Sequence, residues 1–251
     1  MKVCALIPTY DNPDTVARVV DDVRRHLADV LVIDDGSAPP ARRVVAELAA
    51  AGACSLLVRP RNGGKGDAVK AGLSWAQERG YDYAVTIDAD LQHDAADIPR
   101  LLAGIDPDRD TLVIGQPIFD ESAPALRRFA RQISVFWVMV ETLGRKVGDP
   151  LCGFRVYPVA ASLRTGTWAR AMDFEPEIAV RLVWAGAAVA HVPTRVVYPP
   201  GGVSHFRVVT DTLLIALAHV RLCVEGLGRL ARAAARALAC WAKKSRRPSR
   251  G

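Results

Sequence analysis

The sequence of 251 residues is poor in cysteine, and its few cysteines are not arranged for pairing or for zinc. They are scattered and odd in number, with no C-x-x-C pair: Cys4, Cys54, Cys152, Cys223 and Cys240. A disulfide framework needs paired cysteines, and a zinc knuckle needs closely spaced ones. We therefore expect a protein of the reducing cytoplasm without a disulfide framework.

Long apolar segments are also missing. No run of about 18 uncharged apolar residues is present, so no membrane-spanning helix is predicted. Residues 208–220 come closest, but Asp211 and His219 interrupt them. The start of the chain lacks the basic and then apolar layout of a signal peptide, so no cleaved leader is expected.

Positive charge is in excess, but it is unevenly spread. The formal net charge is +6 and the sequence pI is about 9.3. Much of the excess lies near the C-terminus, at Arg229, Arg232, Arg236, Lys243, Lys244, Arg246, Arg247 and Arg250. Because the rest of the chain is not generally basic, we predict a basic tail and no nucleic-acid partner.

The first half of the chain alternates apolar runs with segments of helical periodicity. The runs predict strands at residues 3–7, 30–33, 55–58, 83–87 and 111–115. The periodic segments predict helices at residues 15–27, 42–51, 67–79 and 98–103. This order predicts an α/β fold with a mostly parallel sheet covered by helices, and ligands bind beyond the carboxyl ends of such strands.

The second half predicts further elements in a looser pattern. They are a helix at 125–143, a loop and strand within 149–157, a helix at 176–184 and a strand at 189–198. We expect one α/β domain over residues 1–207, followed by an amphipathic, basic helical tail over residues 208–251.

An acidic loop, "DADLQHD", follows the fourth predicted strand. Its carboxylates Asp88 and Asp90 repel each other, so a cation is expected to belong there. A calcium loop of the helix–loop–helix type is disfavoured, because His93 replaces the glycine, Pro99 stands at the twelfth position, and a strand leads in. Two carboxylates one residue apart suit a divalent cation that also holds a diphosphate.

A glycine-rich loop, "RNGGKGDA", follows the third predicted strand. It matches neither the Walker pattern nor the dinucleotide fingerprint, and it could be a plain tight turn. Its glycines stand at a helix N-terminus beside Lys65, an arrangement that favours an anion or a close approach of backbone.

Four ordered motifs, "IPTYDN", "VIDDGS", "NGGKGDA" and "DADLQHD", each follow a predicted strand. Together they resemble the nucleotide-sugar-binding half of glycosyltransferase family 2. The later "DPLCGFRVY" and "DFEPEIAVRL" are similar to its polyprenol-phosphate mannose and glucose synthase branch. The resemblance, which covers roughly residues 3–200, implies a GT-A fold, a UDP or GDP sugar donor, Mg²⁺ or Mn²⁺, and inversion at the anomeric carbon.

The resemblance also implies roles for individual residues. Those expected to bind the donor are Pro8, Tyr10, Asp11, Asp35, Lys65, Asp88 and Ala89. Those expected at the metal are Asp88, Asp90, Gln92 and, from the loop "GGVSHFR", His205. From their charge, Arg127, Arg128, Arg131, Arg155 and Arg207 are candidates to neutralise an acceptor phosphate or the donor diphosphate. The first three are alternatively solvated charges of a helix, whereas Arg155 stands in "CGFR", where the resemblance is tight.

The acceptor side leaves alternatives open. If the acceptor is a hydroxyl, Glu177 or Asp173 is the candidate general base, with a pKa raised by burial. If the acceptor is a lipid phosphate, no base is needed. Alternatively, Glu175 and Glu177 merely charge the first turn of a helix.

The tail has apolar residues at intervals of three and four. Such a helix packs on the catalytic domain or lies on an anionic membrane with its basic end in the headgroups. We expect a peripheral protein on the inner face of the plasma membrane, with a lipid-linked acceptor. The alternatives are a scaffold that binds nucleotide sugar without turnover, and a nucleotidyltransferase. A nucleotidyltransferase is disfavoured, because its glycine-rich loop should follow the first strand, where this chain has "PTYDN".

Overall fold

The structure is a computed structural model that describes residues 1–119, 125–197 and 207–245. The strands are β1 Val3–Thr9, β2 Val30–Asp34, β3 Ser55–Val58, β4 Tyr83–Thr86, β5 Thr111–Phe119, β6 Arg155–Pro158 and β7 Ala188–Val196. The helices are α1 Val16–Arg24, α2 Pro39–Ala50, α3 Lys65–Glu78, α4 Ile98–Ala103, α5 Ala125–Glu141, α6 Val159–Arg164, α7 Phe174–Trp184 and α8 Val208–Ser245.

The strands form one seven-stranded sheet in the order β3-β2-β1-β4-β6-β5-β7. Every neighbouring pair is parallel except the two that contain β6, which runs antiparallel to β4 and β5. The predicted α/β fold with a mostly parallel sheet is therefore confirmed. Parallel strands place the loops that follow β1, β2 and β4 at one edge, where the sequence motifs fall.

The centre of the sheet is fully buried because helices cover both faces. All of β2 and nearly all of β1 is buried, as their continuous apolar runs require. Helix α3 crosses closely above them at Gly72, where a Cβ atom would lie 3.1 Å from the side chains of Leu6 and Ile33. This close packing fixes the N-terminus of α3 relative to the carboxyl edge.

Strand β5, helix α6 and helix α7 are among the elements that differ from the sequence prediction. Strand β5 continues past Gly115 to Phe119, because it pairs with β7 at nine consecutive positions. The short helix α6 was not predicted, and its six residues give too little periodicity to recognise. Helix α7 begins at Phe174 rather than at Pro176. The first turn accommodates Pro176 because proline lacks a backbone N–H and the N–H groups of a first turn have no helical partner.

Helix α8 is 38 residues long and divides into two parts. Its first part packs on α5 and α7 through the buried Ile215, Ala218 and Leu222. From Arg229 to residue 239 every side chain is exposed. In the part of the chain that the structure describes, no helix is long and apolar enough to cross a membrane.

Candidate active site

The loop after β1 is joined to the loop after β2. The Asp11 N–H donates to Ser37 Oγ at 3.0 Å, and Asp11 Oδ1 accepts from the Ala38 N–H at 2.7 Å. Asp11 has a φ of 51°, so its carboxylate holds an uncommon backbone conformation in place. Pro8 is buried and Tyr10 half-buried beside this junction, so three predicted donor residues share one corner of the site.

Asp35 is buried and shapes the glycine-rich loop. Its carboxylate accepts from the Gly63 N–H at 3.1 Å and from the Gly64 N–H at 2.8 Å, and it pairs with Arg59. Burial raises the pKa of Asp35, against the effect of these donors. Asp35 thus holds the loop, and its predicted contact with the base or ribose stays a prediction.

The glycines of that loop allow close approach to the segment before α7. Gly64 has a φ of 97°, and a Cβ there would lie 2.6 Å from the Arg170 carbonyl oxygen. A Cβ at Gly66 would lie 2.5 Å from Phe174 Cβ. These positions therefore require glycine because protein backbone and side chain fill the space.

Lys65 lies between two carboxylates. Its Nζ is 2.8 Å from Asp88 Oδ1 and 2.9 Å from Glu175 Oε1. Burial opposes the charge on Lys65, but the two carboxylates outweigh it and raise the lysine pKa above its usual value. Burial likewise opposes ionisation of Asp88, but the Lys65 charge lowers the Asp88 pKa below its usual value.

Gly153 closes this charge cluster from the β6 side. A Cβ at Gly153 would lie 2.4 Å from Lys65 Nζ and 2.6 Å from Asp88 Oδ2. The Gly153 carbonyl also accepts from Thr86 Oγ1 at 2.7 Å. A side chain at this glycine of "CGFR" would therefore displace the Lys65 and Asp88 side chains from their present contact, which the sequence motif alone did not identify.

Asp90 is the unbalanced charge of the acidic loop. Its Oδ1 accepts from the Gln92 N–H at 3.0 Å. Burial, followed by the negative charge of Asp88, raises the pKa of Asp90 to about 6. The neighbouring Ala89 is buried, and its carbonyl accepts from Thr15 Oγ1. A cation at this loop would relieve the repulsion between the two carboxylates.

The donor set fits a divalent cation that has other ligands as well. Among the residues that the structure describes, no group of three or more His, Cys, Asp or Glu side chains could hold a metal alone. Asp88 and Asp90 supply hard oxygen atoms from one short loop, which leaves coordination positions for a diphosphate. His205 lies outside the described residues, as do the side chains of Arg127 and Arg128.

His93 and Arg131 also lie near Asp88 of the acidic loop. The His93 ring packs on Phe154 with 5.2 Å between ring centroids, and burial lowers its pKa to about 4, so it is neutral at pH 7. Arg131 pairs with Asp149, whose backbone N–H donates to Gln116 Oε1 at 3.1 Å. Sequence reasoning did not assign Asp149 or Gln116 to the site.

The structure corrects the expectation for Arg155. Its guanidinium is buried and donates to the carbonyl oxygens of Pro150, Cys152 and Glu175 at 2.6, 2.6 and 2.8 Å. A phosphate ligand cannot reach these donors, because backbone carbonyls enclose them. Arg155 instead holds the loop that carries Gly153 against the start of α7.

The role of Glu177 as a general base stays a prediction, and the structure shows what its carboxylate contacts. This side chain is buried, and its carboxylate accepts from the N–H groups of Trp168 and Ala169 at 3.2 and 2.8 Å and from Arg181 Nε at 2.5 Å. Residues two apart on a helix point about 200° apart, so only one of Glu175 and Glu177 can face Lys65. The one that does is Glu175.

The remaining acceptor-side candidates, Asp173 and Arg207, form hydrogen bonds with residues close to them in the chain. The Asp173 carboxylate is buried and accepts from the Ala171 N–H at 3.0 Å. Arg207 is exposed at the start of α8, where its backbone N–H donates to Asp211 Oδ2 at 2.7 Å. Neither residue contacts the Lys65 cluster.

A family model described as glycosyl transferase family 2 matches residues 4–168. The chain belongs to this family. Family membership makes the protein a glycosyltransferase, as the sequence motifs predicted. The expected family, its polyprenol-phosphate mannose synthase-like branch and the enzyme class are thereby confirmed.

Two relatives span most of this glycosyltransferase. An undecaprenyl-phosphate mannosyltransferase of Micrococcus luteus is 31% identical over 207 residues, which are 77% of this chain and 82% of that protein. An uncharacterized protein of Methanocaldococcus jannaschii is 27% identical over 218 residues, which are 80% of this chain and 90% of that protein. A shorter match is 36% identical over 114 residues to a polyprenol monophosphomannose synthase of Mycolicibacterium smegmatis, covering 44% of this chain and 43% of that protein.

Solved structures share the fold. Glucosyl-3-phosphoglycerate synthase from Mycobacterium tuberculosis, in complex with Mn²⁺, UDP and glucosyl-3-phosphoglycerate, superposes with a TM-score of 0.65 at 17% identity. The match covers 88% of this chain and 80% of that one. The predicted GT-A fold is confirmed by this likeness.

Proposed function

We propose that this family 2 glycosyltransferase moves a sugar from a nucleoside-diphosphate donor, UDP- or GDP-linked, to a polyprenol phosphate, with a divalent cation at the acidic loop. The observation that carries the proposal is the cluster of Lys65, Asp88 and Glu175 beside the ionisable Asp90 at the carboxyl edge of the sheet. We place the protein peripherally on the inner face of the membrane that holds such an acceptor.

The donor end of the reaction needs positive charge. As the glycosidic bond breaks, the leaving nucleoside diphosphate gains negative charge. Asp88 and Asp90, with Gln92 beside them, would hold Mg²⁺ or Mn²⁺. A bound cation would stabilise the charge that develops on the diphosphate by several kcal/mol. Lys65 adds a fixed ammonium next to Asp88, held in place by the buried Glu175.

The acceptor end of the reaction needs no general base if the nucleophile is a phosphate. A phosphate oxygen is already anionic, so it attacks the anomeric carbon directly while the bond from that carbon to the diphosphate breaks, with inversion. This fits the engagement of both candidate bases, Glu177 and Asp173, in buried hydrogen bonds. The relative from Micrococcus luteus, named an undecaprenyl-phosphate mannosyltransferase, supports the same acceptor class.

The test is calorimetric titration of the purified protein with UDP and with GDP, first with Mn²⁺ and then with EDTA. We expect one nucleotide to bind and its binding to be lost in EDTA. Tight binding of a nucleotide that EDTA does not change would contradict the cation at the acidic loop. A second assay follows sugar transfer to a polyprenol phosphate; metal-dependent binding without transfer to any phosphate or hydroxyl acceptor would favour a scaffold.

A further inference from the structure

Helix α5 carries an apolar face that nothing in the described chain covers. Phe136 is 59% exposed and Trp137 is 40% exposed, although both are large aromatic side chains. The exposed large apolar residues of α5 and its C-terminal turn are Ile133, Phe136, Trp137, Met139, Val140 and Leu143. Such side chains cost free energy in water, so a face with six of them indicates a partner.

The opposite face of α5 fixes it beside α8. His219 Nδ1 lies 2.9 Å from Glu141 Oε1, and His219 Nε2 lies 3.2 Å from Ser134 Oγ, all three side chains being buried. Trp184 Nε1 of α7 donates to the Glu141 carbonyl at 2.9 Å. The two helices are thus held side by side on the catalytic domain.

Helix α8 has an apolar outer face of its own. Its first part buries Ile215, Ala218 and Leu222 against the domain. Exposed apolar side chains recur at intervals of three and four along the helix, at Leu213, Leu217, Val220, Val224, Leu227 and Leu230, and Leu238 and Trp241 lie farther along. Together with the face of α5 they form what we call the two-helix surface.

The charge beside this surface identifies what covers it. No Asp or Glu follows Glu225, whereas eight Lys and Arg residues lie between Arg229 and Arg250. A second copy of the chain would bring an equal positive charge next to the first, with no acidic partner to offset it. An anionic lipid surface matches both the apolar width of two helices and the positive charge.

We infer that the two-helix surface docks this protein on an anionic bilayer, with α5 as well as the tail inserted among the headgroups. The N-terminal half of α5 carries Arg131, which pairs with Asp149 and whose charge acts on Asp88 of the acidic loop. Docking therefore places the candidate active site at one end of the membrane contact. This orientation rests on the proposed acceptor, because a phosphate attached to a lipid is then presented at the level of the site.

The test measures co-sedimentation of the full chain with vesicles, in the absence of nucleotide and acceptor. Vesicles of phosphatidylcholine alone are compared with vesicles in which part of it is replaced by phosphatidylglycerol. We expect binding to the anionic vesicles that weakens as NaCl is raised. The double variant Phe136→Gln/Trp137→Gln should bind roughly tenfold more weakly, since two aromatic anchors are lost.

The matched control is Val58→Gln, which replaces an apolar residue, 47% exposed, on β3 at the opposite edge of the sheet. Thermal unfolding of all three proteins checks that the variants fold. Quenching of tryptophan fluorescence by brominated lipid gives a second readout, which should fall in Trp137→Phe, a variant that keeps the site apolar. Equal vesicle binding by the double variant and Val58→Gln, or unchanged quenching in Trp137→Phe, would overturn the docking role of α5.

Sedimentation velocity tests whether a second copy of the chain, rather than a membrane, covers the two-helix surface. A wild-type dimer that the Phe136→Gln/Trp137→Gln variant converts to a monomer, with vesicle binding unchanged, would assign the surface to a second copy and overturn the inference. Failure of the proposed transfer reaction is distinguishable, because vesicle binding is measured without donor or acceptor.

Discussion

Glu175 and Glu177 lie two residues apart in the first turn of α7, and both are buried, yet they belong to different regions. Glu175 meets Lys65 at the carboxyl edge of the sheet, beside Asp88 and the unbalanced Asp90. Glu177 meets Arg181, which also reaches Glu225 of α8 at 2.7 Å. Both clusters place one cation between two carboxylates, but the first also borders Asp90, a third carboxylate for which the described residues show no ion pair. We call the first the open cluster and the second the closed cluster. The additional carboxylate of Asp90 distinguishes the cluster that we assign to the cation, because burial alone does not separate the two.

Asp90→Ala breaks the open cluster and should have the largest effect. Removal of one of two carboxylates at the cation site should lower kcat/KM by roughly 100-fold or more and abolish the EDTA-sensitive part of nucleotide binding. The measurement is steady-state transfer together with calorimetry. Asp94→Ala is the matched control, because Asp94 is in the same loop but only caps the following turn at Ala96. Equal activity in both variants would remove Asp90 from the metal site.

Glu177→Gln breaks the closed cluster and should cost stability instead. Arg181 loses its buried partner, so the free energy of unfolding should fall by about 3 kcal/mol, while kcat of the folded fraction stays near the wild-type value. Urea unfolding and transfer assays measure the two quantities. A large loss of kcat at unchanged stability would restore Glu177 as a general base and favour a hydroxyl acceptor.

Glu175→Gln sharpens the contrast on the same helix turn. Lys65 keeps Asp88 but loses its second anchor, so its ammonium is positioned less well against the donor. We expect kcat to fall roughly tenfold with a smaller loss of stability than in Glu177→Gln. Glu175→Asp should recover part of the rate if the role is positioning. Identical effects of Glu175→Gln and Glu177→Gln on both rate and stability would contradict the distinction.

The pH dependence of cation binding should show the smallest effect. A carboxyl with a pKa of about 6 carries a proton below that pH, and a cation must displace this proton. Mn²⁺ binding should therefore be constant above about pH 7 and weaken toward tenfold per pH unit below the pKa. Titrations of wild type and Asp90→Asn between pH 5 and 8 measure this. A similar fall in the variant would assign the titration to another group.

The sites after β1, β2, β3 and β4 could be predicted because each apolar run ends at polar or glycine residues that the chain itself displays. The contact of Glu175 with Lys65 could not, because it joins α7 to α3, which lie about 100 residues apart in the chain. The burial of Arg155 was equally hidden, because it depends on the antiparallel pairing of β6 with β4, a contact between distant parts of the chain.

The segment 168–171 contacts both α3 and α8. Arg221 of α8 lies over the Trp168 ring at 4.0 Å, and the Ala169 carbonyl accepts from Lys70 Nζ of α3 at 2.8 Å. The Arg170 carbonyl accepts from the Asp67 N–H at 2.9 Å, in the first turn of α3. Through this short stretch of backbone, α8 is joined by contacts to the first turn of α3, which carries Lys65. Only the four residues 168–171 therefore separate the contact of α8 with Trp168 from the helix turn that carries Lys65.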